Sequence, residues 1–285
     1  MSQRWVQTKV GRLKVSVTGE GDHRQTALLW HSLFVDERSW ERVIPHLAQD
    51  RRLIVVTGPG HGTSGDPGHR YTNEDCAAAA LEVLDAVGVE GSVDWVGNAW
   101  GGHVGILVAA QAADRVRTLV AAGTPVHAYT LKGRLRTQLL LVPYRVFGPL
   151  RFLADALVEV LLSERTRTAD PAAVDLVRDS FVKADRAGMT NAVVSVSLKR
   201  RSLTPWLPAV QAPTLFITGS VHSDWSAEQM RASAALLPRG STHVVDDVAY
   251  LVPLEAPDEF SRCVREFWAA HPAAARSGDG YPVGG

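Results

Sequence analysis

The sequence is poor in cysteine and carries no net charge. Its 285 residues include two cysteines, Cys76 and Cys263, which lie far apart and form no CxxC pair. They provide no disulfide framework, so we expect a reducing compartment, the cytoplasm. Lysine plus arginine and aspartate plus glutamate number 30 each, so no global field favours nucleic acid or an anionic membrane. The longest basic run, residues 199–201 (KRR), is interpreted as a solvated helix end.

Long apolar runs and metal-binding spacings are also missing. No stretch is long enough to cross a bilayer, and the first five residues contain no signal-peptide core. The histidines form neither an H-E-x-x-H motif nor a close His/Cys cluster in the sequence. The glycine-rich residues 58–62 (GPGHG) lack the lysine of a phosphate-binding loop. We therefore predict no metal and no cofactor.

What the sequence has is an alternation of short apolar runs with amphipathic segments. This alternation predicts a mostly parallel, eight-stranded sheet with helices on both faces, whose first two strands form an edge hairpin. The predicted strands are 5–10, 13–18, 27–30, 53–56, 92–96, 118–121, 214–218 and 242–245. The predicted helices of this layer are 40–47, 72–87, 100–113, 226–237 and 255–268.

The pattern changes between residues 124 and 208, where leucine- and arginine-rich helical segments replace the strands. We interpret 124–208 as a helical cap inserted into an α/β core that comprises 1–123 and 209–270. The cap would cover the carboxyl ends of the strands, where ligands of open α/β sheets bind. Residues 271–285 are rich in Ala, Gly, Pro and Ser and are predicted to be a disordered tail.

The most informative segment is residues 97–102, with the sequence GNAWGG. It follows a predicted buried strand and precedes an apolar helix, and its glycines allow a sharp turn and a close approach of helix to strand. This is the arrangement of the G-x-S-x-G nucleophile elbow, with Ala99 at the position of the serine. An alanine methyl group cannot attack a carbonyl, so no acyl-enzyme forms at residue 99.

Further motifs occur in the order of a known family. Residues 31–34 (HSLF) end the third strand, Trp40 opens the next helix, residues 60–64 (GHGTS) form a turn, and residues 253–260 (PLEAPDEF) open the last helix. With the elbow, they make the chain similar to α/β-hydrolase-fold proteins of the single-domain, helical-cap kind. The resemblance covers almost the whole chain and implies the α/β-hydrolase fold.

The resemblance also locates the other two positions of the catalytic triad. The acid position, three residues after Gly219, holds His222, and Asp224 two residues further is the displaced alternative. The histidine position holds Tyr250. Because a triad works through its joint geometry, replacement of all three positions argues for a natural departure from Ser-His-Asp chemistry.

The backbone of the site does not depend on the missing serine. The family's oxyanion hole uses backbone N–H groups, here those of Leu33 and Trp100. A hydrogen bond between His222 and Tyr250 would make Tyr250 a general acid or base. In the alternative interpretation, His222 and Tyr250 only fill the space that a triad would occupy.

Aromatic and aliphatic residues near the strand ends predict a small apolar ligand. The candidate substrate contacts follow strand ends or lie on the first turn of the elbow helix: His31, Phe34, Trp100, His103 and Trp225. For His31 and His103 the alternatives are structural, namely ordering of the oxyanion loop and helix packing. We expect a monomer or homodimer with no nucleic-acid or membrane partner.

Three functions fit these residues. The leading hypothesis is an enzyme without a Ser-His-Asp triad that performs non-covalent acid–base chemistry of the isomerase, cyclase or lyase type. One alternative is a non-catalytic pseudo-hydrolase that binds a ligand or a partner. The other is an ester or lactone hydrolase that uses an activated water. All three exclude an acyl-enzyme. The first predicts a product that keeps the substrate's mass or loses water, the second predicts binding with no product, and the third predicts cleavage of the ester or lactone by water.

Overall fold

The computed structural model describes residues 1–19 and 25–272. Its strands are β1 Ser2–Thr8, β2 Gly11–Val17, β3 Thr26–Trp30, β4 Arg52–Thr57, β5 Val93–Asn98, β6 Val116–Ala122, β7 Thr214–Gly219 and β8 Gly240–Val245. Its α-helices are α1 Ile44–Leu47, α2 Asn73–Ala86, α3 Trp100–Gln111, α4 Leu131–Phe147, α5 Arg151–Leu161, α6 Glu164–Ala169, α7 Pro171–Lys183, α8 Arg186–Ala192, α9 Ala227–Ala234, α10 Val252–Glu255 and α11 Pro257–Ala270.

The strands form one sheet in the order β1-β2-β4-β3-β5-β6-β7-β8. The pairs β1–β2 and β2–β4 are antiparallel, and all other neighbours are parallel. Buried apolar clusters cover both faces of the sheet. The predicted mostly parallel, eight-stranded α/β-hydrolase fold is confirmed.

Two predicted helices are interrupted by proline. The segment predicted as helix 40–47 is a 3₁₀ turn, Glu37–Trp40, followed by the single turn of α1 with Pro45 near its start. The segment predicted as helix 255–268 is α10 followed by α11, which begins at Pro257. Proline lacks a backbone N–H and clashes with the carbonyl one turn earlier, so a helix starts at it rather than continuing through it.

Between β6 and β7 the described chain holds helices and no strand. These helices share a third buried cluster that also includes Val35, Leu251 and Leu254 from loops and helix at one edge of the core. The helical layer therefore packs over the loops that follow β3 and β8. The limits 124–208 for a cap stay a prediction, and residues 273–285 of the predicted tail lie outside the described residues.

In the described ranges, no helix has both the length and the apolar character needed to cross a membrane.

Candidate active site

The sharp turn between β5 and α3 is present although it carries no serine. Ala99 has φ 47° and ψ −101°, a conformation that costs energy for a residue with a side chain. Its N–H donates to the Ala122 carbonyl at 2.7 Å, which ties the turn to β6. A Cβ at Gly97 would lie 2.2 Å from the carbonyl carbon of Gly101, so glycine is required where the helix crosses the strand.

Two backbone N–H groups are available beside this turn. Trp100 is the first residue of α3, and Leu33 lies in the loop after β3. Among the described residues, neither N–H has a hydrogen-bond acceptor. The N–H of Gly101 donates to the His31 carbonyl at 3.2 Å, which holds the two loops together. These are the two donors predicted for an oxyanion hole, and that role stays a prediction.

His222 lies against Tyr250 but does not form a hydrogen bond with it. The two rings stack with centroids 3.7 Å apart and an interplanar angle of 31°. Nδ1 of His222 accepts the backbone N–H groups of Asp224 at 3.2 Å and Trp225 at 3.1 Å. The predicted hydrogen bond between His222 and Tyr250 is therefore wrong, because the imidazole is used to hold the backbone of the turn after β7.

Tyr250 is paired instead with Asp224. Its hydroxyl donates a hydrogen bond to Oδ2 of Asp224. The Tyr250 carbonyl accepts from Nδ2 of Asn98 at 3.0 Å, which joins the tyrosine to the residue that precedes Ala99. Burial, followed by the charge of Asp224, raises the pKa of Tyr250 well above its ordinary value. The phenol is therefore a proton donor at neutral pH.

Arg200 is the functional candidate that the sequence did not reveal. It was predicted to be part of a solvated helix end, but its guanidinium is directed inward, 2.7 Å from Nε2 of His103 and 2.9 Å from the His127 carbonyl. Its guanidinium carbon lies 5.8 Å from the centroid of the Tyr129 ring. Burial lowers the pKa of Arg200 to about 10, against the opposing effect of Tyr129, Tyr250 and Asp224, so the guanidinium stays charged at neutral pH.

A cavity of about 370 Å³ extends from Asp224, the partner of Tyr250, into the helical layer. Asp224 and Ser223 form one end of it, and Lys132 and Arg136 of α4 add two cations to its wall. The rest of the wall is mainly apolar and includes Phe34, Leu140, Leu153, Leu157, Phe181 and Met189. A cavity of this size and composition suits a small molecule with an apolar body. Phe34, which the sequence predicts to contact a substrate, lines this cavity.

The two histidines proposed as substrate contacts have other partners. His31 is fully buried, with Nδ1 2.7 Å from the Ser32 carbonyl and Nε2 accepting the Gly58 N–H at 2.8 Å. His103 is buried, and burial followed by the charge of Arg200 lowers its pKa well below its ordinary value. Neither ring lines the cavity. The predicted substrate contacts are wrong for both, because backbone carbonyls, an N–H group and Arg200 occupy their nitrogens.

The two tryptophans proposed as substrate contacts belong to the core. The Trp100 indole is 1% exposed and packs edge-on against Trp30 with centroids 5.5 Å apart. The Trp225 indole is fully buried and packs edge-on against Phe216. Their side chains therefore cannot contact a substrate, and this prediction is wrong. The backbone N–H of Trp100 keeps its place in the candidate oxyanion hole.

The described residues bring together one set of side chains that could hold a metal ion. The ligand atoms of His243, Glu259 and Cys263 all lie within 4.8 Å of one another, on β8 and α11. An imidazole, a carboxylate and a thiolate suit zinc. None of the three lines the cavity, so a metal there would not contact a substrate in it. Sequence spacing does not reveal this cluster, because the fold brings β8 and α11 together. The absence of a metal therefore stays a prediction.

The buried His222 predicts a loss of stability in mild acid. Burial lowers the pKa of His222 to about 4, whereas the unfolded chain binds that proton near pH 6.5. Acidification through this window favours the unfolded state, which alone takes up the proton, by about 3 kcal/mol. His222→Asn keeps an oxygen acceptor for the two N–H groups and should flatten the pH dependence of the free energy of unfolding. Urea titrations between about pH 4 and pH 6.5 test this. The same pH dependence of the free energy of unfolding in the unaltered protein and in His222→Asn would contradict it.

Comparisons with known proteins agree with the fold. The 2-hydroxymuconate semialdehyde hydrolase of a Pseudomonas strain is 38% identical over 87 residues, which is 30% of each chain. The matches to the first curated relatives span about 30% of those relatives' length.

Two solved structures superpose on nearly the whole chain. A thermophilic esterase from Thermogutta terrifontis has a TM-score of 0.85 at 24% identity, with 95% of this chain and 100% of the esterase covered. The enol-lactonase from Burkholderia xenovorans has a TM-score of 0.85 at 22% identity, with coverage of 93% and 100%. At these identities the similarity establishes the fold. Residues 27–262 match the sequence pattern of one family, and the chain belongs to the alpha/beta hydrolase family.

Proposed function

We propose that this protein hydrolyses an ester or lactone of a small, mainly apolar molecule by direct attack of water. The observation that carries the proposal is the hydrogen bond from Tyr250 to Asp224, a residue of the cavity wall. Asn98 binds the Tyr250 carbonyl and so joins the pair to the elbow that holds Ala99. With no nucleophilic hydroxyl at residue 99, the attacking group must come from elsewhere. A carboxylate and a phenol can activate water and protonate a leaving group without any covalent intermediate.

In this mechanism Asp224 is the general base. Its Oδ2 is occupied by Tyr250, and in the described chain Oδ1 has no hydrogen-bond partner. Oδ1 accepts a proton from water while the water oxygen attacks the substrate carbonyl. The negative charge that develops on the carbonyl oxygen is stabilised by the N–H groups of Leu33 and Trp100.

Tyr250 is the general acid that completes the reaction. When the tetrahedral intermediate collapses, the phenol gives its proton to the departing alkoxide and receives the proton held by Asp224. An alkoxide is basic enough to take a proton from a phenol with a raised pKa. The reaction is balanced as water plus ester giving acid plus alcohol, and the pair returns to its starting state. The Arg200 cation stabilises the negative charge shared by the pair.

The substrate class follows from the cavity and from the relatives. The apolar wall suits an aliphatic or aromatic body, and the cations of Lys132 and Arg136 suit a polar or anionic end. Several similar proteins are named hydrolases, an esterase and an enol-lactonase. These names favour hydrolysis over the isomerase, cyclase or lyase hypothesis drawn from the sequence.

Non-covalent acid–base chemistry without water is the second candidate. Two observations favour it: Tyr250 is held in its protonated form, and the N–H groups of Leu33 and Trp100 have no acceptor in the described chain. Such donors would also stabilise an enolate. The two candidates use the same residues and differ in whether water enters the product.

The proposal is tested with p-nitrophenyl acetate, p-nitrophenyl butyrate and γ-butyrolactone in water enriched in heavy oxygen. We expect hydrolysis, one heavy oxygen in the carboxyl product, no burst of p-nitrophenol and no labelling by a fluorophosphonate. Covalent labelling or a stoichiometric burst would contradict direct attack by water. Binding of these compounds without turnover would favour the pseudo-hydrolase, and a product of unchanged mass would favour the second candidate.

A further inference from the structure

Helix α4 presents an apolar stripe to solvent. The stripe consists of five residues spaced three or four apart, so all lie on one side of the helix. They are Leu131, Leu135, Leu139, Val142 and Val146, which are 85%, 59%, 65%, 59% and 62% exposed. Phe147 at the end of α4 and Phe152 in α5 are further exposed apolar side chains. Single exposed apolar residues are ordinary, but a continuous stripe marks an interaction surface.

Basic residues border the stripe on both sides. Helical spacing places Arg134 and Arg145 along one border and Lys132 and Arg136, which also line the cavity, along the other. The helix contains no aspartate or glutamate, although the whole chain has as many acidic as basic residues. The positive charge is therefore concentrated around the apolar stripe.

The opposite side of α4 already has its partners. Leu140, Leu141 and Tyr144 line the cavity, and Leu141 and Tyr144 are buried in the cluster of the helical layer. The outward stripe contributes nothing to that cluster. We propose that α4 docks on the surface of an anionic lipid bilayer, with the stripe in the interfacial region and the basic residues at the headgroups. This inference goes beyond the proposed function and does not depend on it.

The charge pattern selects the lipid surface over a second copy of the chain. In a two-fold dimer the same patch faces itself, so the basic borders of two α4 helices would be brought together and would repel. An anionic bilayer attracts them, while the apolar side chains leave water for the acyl boundary. The long stems of lysine and arginine allow their charged ends to reach the headgroups from beside a buried stripe.

The test is co-sedimentation of the full chain with vesicles of phosphatidylcholine alone or mixed with phosphatidylglycerol. We expect the partition coefficient to be at least about tenfold higher for the anionic vesicles and to fall as salt is added. Leu135→Ser with Leu139→Ser should lower it by about tenfold or more, since two buried apolar side chains are lost. Leu236→Ser, at an exposed leucine outside α4, is the control and should leave binding unchanged.

Three results would overturn the proposal. They are no binding to anionic vesicles at low ionic strength, equal binding to both vesicle types, and equal binding by the stripe variant and the control. Sedimentation velocity without vesicles tests whether a second copy of the chain covers the stripe instead. If two chains associate and the Leu135/Leu139 variant abolishes the association, the stripe belongs to a dimer interface. Since both leucines point away from the cavity, any hydrolytic activity should survive the substitution, which separates this result from failure of the proposed function.

Discussion

Asp224→Asn is expected to lower kcat/KM for ester hydrolysis by about a hundredfold to ten-thousandfold, the range for loss of a general base. The amide has the size of the carboxyl group, and its oxygen can still accept the hydroxyl of Tyr250, so the loop should keep its structure. What the amide cannot do is take a proton from water. The loss should therefore appear mainly in kcat, measured with p-nitrophenyl butyrate at neutral pH.

Asp246→Asn is the matched control, because it makes the same chemical change at an exposed aspartate that does not line the cavity. Its kinetics should equal those of the unaltered protein. Tyr250→Phe adds a second criterion. It should slow hydrolysis of alkyl esters more than hydrolysis of p-nitrophenyl esters, since nitrophenolate departs without a proton. Full activity of Asp224→Asn would exclude Asp224 as the base.

The fold and the elbow could be predicted because they depend on local patterns. Residues 93–102 combine a buried strand, a run of small residues and an apolar helix, and only a tight turn joins such elements over so few residues. The position of Ala99 at a positive φ follows from that turn. The order of strands then follows from chain connectivity and the parallel pairing that intervening helices require.

The partner of Tyr250 could not be predicted, because it depends on how one turn is folded. Counting from Gly219 favoured His222, and Asp224 was the displaced alternative. In the structure the imidazole caps two N–H groups of its own turn, which directs the next carboxylate to the cavity. Asp224, two residues after His222, therefore faces the cavity in place of the imidazole. Spacing along the sequence does not determine which of the two side chains does so.

The environment of Arg200 and the charge of α4 could not be predicted from the composition of a segment or of the whole chain. The basic run at 199–201 suggested solvent exposure, yet Arg200 lies against His103 and Tyr129. The balanced charge of the whole chain conceals α4, in which every charged residue is basic. Net charge describes the long-range field of a protein, whereas binding depends on which charges share a face.

Gly101→Ala is expected to lower the free energy of unfolding by about 3 kcal/mol or more, at the upper end of the cost of overpacking a core. A Cβ at this position would lie 1.8 Å from the Trp30 carbonyl oxygen and 2.6 Å from its carbonyl carbon. Both are backbone atoms of β3 and cannot rotate away, so α3 would have to move from the sheet. The Gly101 carbonyl also accepts Nε1 of Trp95 at 2.9 Å, and that bond would be strained by the movement.

Gly91→Ala is the control for the same change, since no atom lies within 4 Å of the added carbon. It should change the free energy of unfolding by no more than about 0.5 kcal/mol. Urea denaturation of the two variants gives the comparison. The displacement of α3 would also move the Trp100 N–H away from that of Leu33, because Gly101 joins the two loops through the His31 carbonyl. Gly101→Ala protein that remains folded should therefore lose hydrolytic activity, and equal stability and activity of the two variants would contradict the close approach of α3 to β3.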